Sequence, residues 1–147
     1  MILYLDSSAL VKLFIAEQGS PAVHAWVARA DSVATSRIAY AEACAAFARR
    51  YAERRLSRKE FAAARAALSA QWPTFAAVEI DEFKAGELAI THNLRGFDAV
   101  HLAAASEIRK AVSAVPLLFC SYDQRQMVAA RAEGLPIAEG TANNSAS

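Results

Sequence analysis

A chain of 147 residues fits one domain of ordinary size and leaves little room for a second. A hydrophobic share of 55%, much of it alanine, is enough to fill a sizeable core and argues against wholesale disorder. Lys+Arg 16 against Asp+Glu 15 leaves a formal charge of +1, so global charge marks no nucleic-acid binder and any basic footprint must be local.

Ile2 to Leu5 is a short apolar run with strand character, ending at Asp6-Ser7-Ser8. Ser7 or Ser8 is placed to cap a helix over Ala9 to Glu17, where Leu10, Leu13 and Phe14 recur at helical spacing. Gly19-Ser20-Pro21 breaks the chain, and Pro21 opens a second helix reaching Ala30. Ser32 to Ser36 reads as a second strand. A long helix is expected from Arg37 to Arg55, and another from Ser57 to Gln71, whose Ser57-Arg58-Lys59-Glu60 start matches a capping box. Pro73 ends it. Phe75 to Ile80 reads as a third strand, and Asp81 caps a helix to His92. After the turn Asn93 to Gly96, the pattern is helical from Asp98 to Ala111. Pro116 introduces the apolar strand Leu117 to Cys120; Gln124 to Ala132 is helical, Gly134 stops it, and Leu135-Pro136-Ile137 is a last edge strand. Residues 1–138 are thus expected to form the domain, and the small, polar stretch 139–147 a disordered tail.

Short apolar strands alternating with helices specify an α/β domain, with a short central parallel sheet covered by helices on both faces. Cys44 and Cys120 lack metal-ligand spacing and sit in apolar stretches, as reduced, buried cysteines do. No signal segment and no stretch of membrane-spanning length is visible, which places the protein in the cytoplasm, away from membranes.

In such sheets, ligands bind outside the carboxyl ends of the strands. Asp6 follows the first strand there, and Asp123 follows the strand ending at Cys120. Asp98 and Glu42 fall in the first turns of helices, so all four acids can converge on one sheet edge. Carboxylates held together repel one another and need cations to stay ionised. An all-oxygen donor set suits Mg²⁺, with Mn²⁺ as a substitute, and such metals activate water for in-line attack on a phosphodiester. Taken singly, Asp6 or Asp98 can be a helix cap, Glu42 a solvated helix charge and Asp123 a turn residue.

Four segments resemble the acid motifs of PIN domains. Tyr4-Leu5-Asp6-Ser7-Ser8-Ala9-Leu10-Val11-Lys12-Leu13 is similar to the opening motif. Ala41-Glu42 is similar to the second, and Leu94-Arg95-Gly96-Phe97-Asp98-Ala99-Val100-His101-Leu102-Ala103 to the third in its VapC toxin form. Ser121-Tyr122-Asp123 is similar to the fourth, although Gln126 stands where such sequences usually carry an apolar residue. The resemblance runs from Met1 to Ile137 and implies a PIN-fold, Mg²⁺-dependent endoribonuclease, the toxin of a type II toxin–antitoxin pair. It further implies a homodimer silenced by a small antitoxin, and a structured RNA such as transfer or ribosomal RNA as substrate. Asp6, Glu42, Asp98 and Asp123 would be both catalytic residues and metal ligands. A housekeeping RNA-processing nuclease and a non-catalytic PIN binding module are the alternatives. A phosphatase with an Asp nucleophile after its first strand would need a second Asp where Ser8 stands.

Ser8 is a candidate for orienting Asp6 or a bound water. Arg49 and Arg50 follow Glu42 by two helical turns and open a basic run with Arg54, Arg55, Arg58, Lys59 and Arg65, a candidate RNA phosphate contact. A solvated helical hairpin produces the same charge run. His101, one turn past Asp98, reads as a buried, hydrogen-bonded histidine rather than a base. Phe61, Leu68 and Trp72 share a stripe suited to a dimer or antitoxin contact.

Overall fold

The computed structural model describes residues 1–139; the tail assignment therefore falls, for residues 140–147, outside the described residues. Glu139 is described and pairs with Arg131. Four strands form one parallel sheet in the order β3-β2-β1-β4: β1 (Ile2–Leu5), β2 (Ser32–Ser36), β3 (Ala76–Val78) and β4 (Leu117–Cys120). Ile2 is in register with Ser32 on one side and Leu117 on the other. As a central strand, β1 is buried on both faces, which is why it reads as an unbroken apolar run.

Alternation along β1 divides the core in two. Leu3 and Leu5 point into a layer built by α1 (Ser7–Phe14), α2 (Ser20–Arg29), α3 (Ile38–Ala52) and α4 (Arg58–Gln71), with Leu10, Val23, Phe47 and Leu68 buried against them. Tyr4 points the other way, into a layer of α5 (Glu82–His92), α6 (Gly96–Ala111) and α7 (Gln124–Ala132). There Ala99, Ala103, Ala104 and Ala105 let α6 pack closely, and the Tyr4 ring stacks on Phe119 at 5.5 Å. Cys44 and Cys120 are free thiols; burial, with the Asp6 charge nearby, pushes Cys120 up to about 12, which makes it a poor nucleophile. Among the described residues no helix is long and apolar enough to cross a membrane.

Several boundaries differ from the sequence expectation, each for a local reason. Helix α1 starts at Ser7 and stops at Phe14, because Asp6 rather than a serine is its N-cap, its Oδ1 accepting from the Ala9 N–H. Helix α6 starts two residues before Asp98, with Arg95 as an extended N-cap. The third strand shrinks to Ala76–Val78. Leu135 to Ile137 makes a single parallel bridge, Ile137 to Phe119, rather than a strand. The capping box at Ser57 and Glu60 is present with both its hydrogen bonds at 3.0 Å. Of the stripe Phe61, Leu68 and Trp72, Leu68 is fully buried, while the two aromatics are partly buried against the same core. Among the described residues the two most exposed large apolar side chains lie on α5, Phe83 at 81% and Ile90 at 86%.

Candidate active site

The chain lays down β1, β2 and β3 to one side and returns with β4 on the other, so β1 and β4 are neighbours whose connections diverge. A crevice opens at their carboxyl ends. Here it is a cleft of about 380 Å³ lined by all four acids named from the sequence, Asp6, Glu42, Asp98 and Asp123. Ser8, Arg49 and Arg50 line it as well, together with Lys12, Glu17, Arg95 and His101.

Asp6 is the deepest of the acids, only 2% exposed. Its Oδ1 accepts from the Ser8 hydroxyl at 2.6 Å and the Ala9 N–H at 2.9 Å, while Oδ2 accepts from the Ser121 hydroxyl at 2.5 Å. Asp6 therefore caps α1 and lines the cleft at once. Burial pushes its carboxyl above the usual range, outweighing the bonds from Ser121, Ser8 and Ala9.

Glu42 is held from the other layer. Its Oε1 accepts from Ser7 Oγ at 2.5 Å and lies 2.8 Å from His101 Nε2. Burial alone would raise the Glu42 carboxyl, but the hydrogen bonds from His101 and Ser7, with the Arg95 charge nearby, bring it below its ordinary value. His101 is buried and hydrogen-bonded, as its sequence position suggested, and it contacts an acid of the cleft.

Asp98 and Asp123 share one cation. Arg95 donates from Nε to Asp98 and from Nη2 to Asp123, both at 3.0 Å, while its own side chain is 74% exposed. Asp123 also caps α7 through the Gln126 N–H. The unexpected polar residue Gln126 is buried and donates from Nε2 to the Asp98 carbonyl at 3.0 Å, tying the starts of α6 and α7 together. Its Oε1 is buried with no hydrogen-bond partner among the described residues.

The cleft also holds cations, partly neutralised. Glu17 accepts from Arg50 at 3.0 and 3.2 Å and from Lys12 at 3.1 Å. Burial raises the Glu17 carboxyl, but the bonds and charges of Arg50 and Lys12 outweigh it and hold it below the usual range. Arg49 lines the cleft with no ion pair among the described residues. The remaining basic run disperses: Arg54 turns the chain at φ 59°, Arg55 pairs with Glu53, and Arg65 lies over the Phe61 ring. Lys12 also stands 4.6 Å from the Tyr122 ring centre. That ring leans on Gly19, where φ is 91° and a Cβ would come within 2.7 Å of it, so only glycine serves there.

The donor set is all oxygen and fits a hard divalent cation. As the side chains stand, no three His, Cys, Asp or Glu groups among the described residues close around a metal-sized point, and Arg95 supplies the positive charge between Asp98 and Asp123. Sequence reasoning missed Arg95, Ser7, Ser121 and Glu17. Each meets its partner only through the fold, apart from Arg95 and Asp98, whose i, i+3 spacing at a helix start was a usable signal.

Crevice and fold define a class. The family model "PIN domain" matches residues 3–132, and the chain belongs to that family. It is 37% identical over 140 residues to Ribonuclease VapC45 of Mycobacterium tuberculosis (strain CDC 1551 / Oshkosh), covering 93% of this chain and 94% of the relative. FitAcB from Neisseria gonorrhoeae superposes with a TM-score of 0.63 at 21% identity, over 93% of this chain and 96% of the other. Mycobacterium tuberculosis VapC20, a sarcin–ricin loop cleaving toxin, superposes with a TM-score of 0.61 at 16% identity, over 86% and 94%.

Proposed function

We propose that this protein is a Mg²⁺-dependent endoribonuclease, the toxin of a type II toxin–antitoxin pair, and that Asp6, Glu42, Asp98 and Asp123 form its active site. One observation carries the proposal. In a chain 37% identical to a ribonuclease, four acids spread along the sequence line a single cleft that also holds Lys12, Arg49, Arg50 and Arg95.

The four carboxylates would hold Mg²⁺, or Mn²⁺ in its place. A divalent cation there would supply Lewis acidity and charge neutralisation for in-line attack of water on a phosphodiester. The protein's own groups prepare that chemistry. Ser8 and Ser121 fix the two oxygens of Asp6, and Ser7 and His101 fix Glu42. Arg95, whose side chain is 74% exposed, would leave Asp98 and Asp123 to a bound cation and turn toward the RNA backbone. Arg49 and Arg50 offer phosphate contacts on the α3 wall.

Transfer or ribosomal RNA is the proposed substrate class, the chain working in the cytoplasm against a small cognate antitoxin. The exposed Phe83 and Ile90 support a protein contact on α5, and homodimerisation is the proposed use of it. The deciding experiment incubates purified protein with total RNA and maps the cleaved ends. Cleavage should vanish with EDTA, return with Mg²⁺ or Mn²⁺, and be lost in a folded Asp98→Asn variant. Undiminished cleavage in EDTA, or a fully active Asp98→Asn variant, overturns the proposal.

A further inference from the structure

Tyr4 is a fully buried tyrosine whose ring fills the core beneath the sheet while its hydroxyl reaches toward the cleft side. A phenylalanine would pack there equally well, so the hydroxyl calls for a separate explanation. It lies 2.9 Å from His101 Nδ1. A buried O–H must find an acceptor. Among the described residues, the acceptor available to it is Nδ1, so Tyr4 donates and Nδ1 carries no proton. The proton of the neutral imidazole then sits on Nε2, which faces Glu42 Oε1 at 2.8 Å and Ser7 Oγ at 3.0 Å. The carboxylate is the stronger acceptor of the two. Ser7 itself donates to the same Oε1 at 2.5 Å.

Both donors therefore converge on one oxygen of Glu42. Among the described residues no hydrogen bond reaches Oε2, although Glu42 lines the cleft. We propose that Tyr4 and His101 are positioning residues: Tyr4 fixes the His101 tautomer, His101 with Ser7 pins Glu42 Oε1, and Oε2 is left as the single Glu42 oxygen offered to a cation. Neither residue touches substrate, and His101 does no acid–base work in this arrangement. The same logic governs metal-ligand carboxylates generally, where a hydrogen-bonded outer partner orients the ligand. The inference rests on the ribonuclease reading for its cation, while the tautomer is independent of it.

The test has two arms. In the first, nitrogen-15 NMR of the histidine rings reads the His101 tautomer directly. Wild type should show a protonated Nε2 and a bare Nδ1, and Tyr4→Phe should lose that single form. In the second, Mn²⁺ affinity is measured by titration on the metal-free protein. Tyr4→Phe should weaken binding, and His101→Asn, whose amide is too short to reach Glu42, should weaken it about 10–100-fold. His101→Gln, with its amide nitrogen near the place of Nε2, should recover part of the loss. Turnover should fall with Mn²⁺ affinity while the KM for RNA holds, a split that a general loss of structure does not produce. Circular dichroism shows which variants fold, and Tyr4→Phe keeps the inference testable if the histidine variants do not. A protonated Nδ1 in wild type, or unchanged Mn²⁺ affinity in folded Tyr4→Phe and His101→Asn, overturns the inference while leaving the ribonuclease reading intact. A wild-type protein that neither binds Mn²⁺ nor cleaves RNA overturns that reading and the cation half of the inference, and the tautomer arm still decides the other half.

Discussion

Replacing Glu17 by glutamine should move stability and RNA affinity in opposite directions. The Glu17 carboxylate is 17% exposed and takes three hydrogen bonds from Arg50 and Lys12. Bonds to charged groups are worth about 1.5–3 kcal/mol each when fully lost. Glutamine keeps one acceptor oxygen, so the net loss should be on the order of 1–2 kcal/mol. For a chain of this size that lowers the melting temperature by about 3–6 °C. The folded-state pKa of Glu17 is lowered, so its stabilisation is present above the unfolded carboxylate value and is lost as pH falls through the folded one. The melting difference should therefore close in acid. In the cleft, five carboxylates face four Lys and Arg side chains, and the substitution leaves four of each. Lys12 and Arg50, freed from Glu17, can then take up to two phosphates, which steepens the salt dependence of RNA binding by about 0.7–1.4 log units per log unit of salt. Anisotropy titrations in EDTA over a salt series measure this without cleavage. A variant that melts lower yet binds RNA with the wild-type salt slope would show that Lys12 and Arg50 do not face RNA.

Three further outcomes are expected. Asp6→Asn should raise the melting temperature of the metal-free protein at neutral pH, since asparagine still caps α1 while the buried charge is gone. The raised folded pKa of Asp6 means that its ionisation costs stability as pH rises through that value, so the gain should shrink in acid; calorimetry in EDTA that finds a lower melting temperature at pH 7 contradicts this. Arg49→Ala should raise the KM for RNA without touching stability, whereas Arg50→Ala should also lower the melting temperature, because it leaves Glu17 with Lys12 alone. Parallel kinetics and melts that cannot tell the two arginines apart would remove Glu17 as the difference. Ser57→Ala should cost about 1 kcal/mol in urea unfolding and leave cleavage unchanged, the capping box being remote from the cleft.

What could be read from the chain follows the range of the forces involved. The capping box of α4, the apolar β1 and the acids at strand ends are local patterns, legible because their causes lie within a few residues. The hydrogen bonds that shape the site are not local: Ser121 meets Asp6 across 115 positions, and Tyr4 meets His101 across 97. Periodicity showed that Phe61, Leu68 and Trp72 share a face, but not that the chain's own core takes up Leu68 wholly and the two aromatics in part. The basic run looked continuous because sequence order hides the turn at Arg54 and the partners at Glu17 and Glu53. At Asp6 the two roles the sequence offered as alternatives are filled by one carboxylate, helix cap and cleft wall together.

The parallel pairing of β1 with β4 bears on the order of synthesis. Asp6 emerges during translation 115 positions before Ser121, and Ser121 and Asp123 follow directly on β4. Until β4 docks, Asp6 lacks its Ser121 bond, the crevice has no second wall, and Asp98 and Asp123 cannot share Arg95. A nascent chain thus carries scattered acids and no cleft. For a protein with the proposed activity, the ribosome that makes it is spared an assembled nuclease for as long as the final strand is still in the exit tunnel.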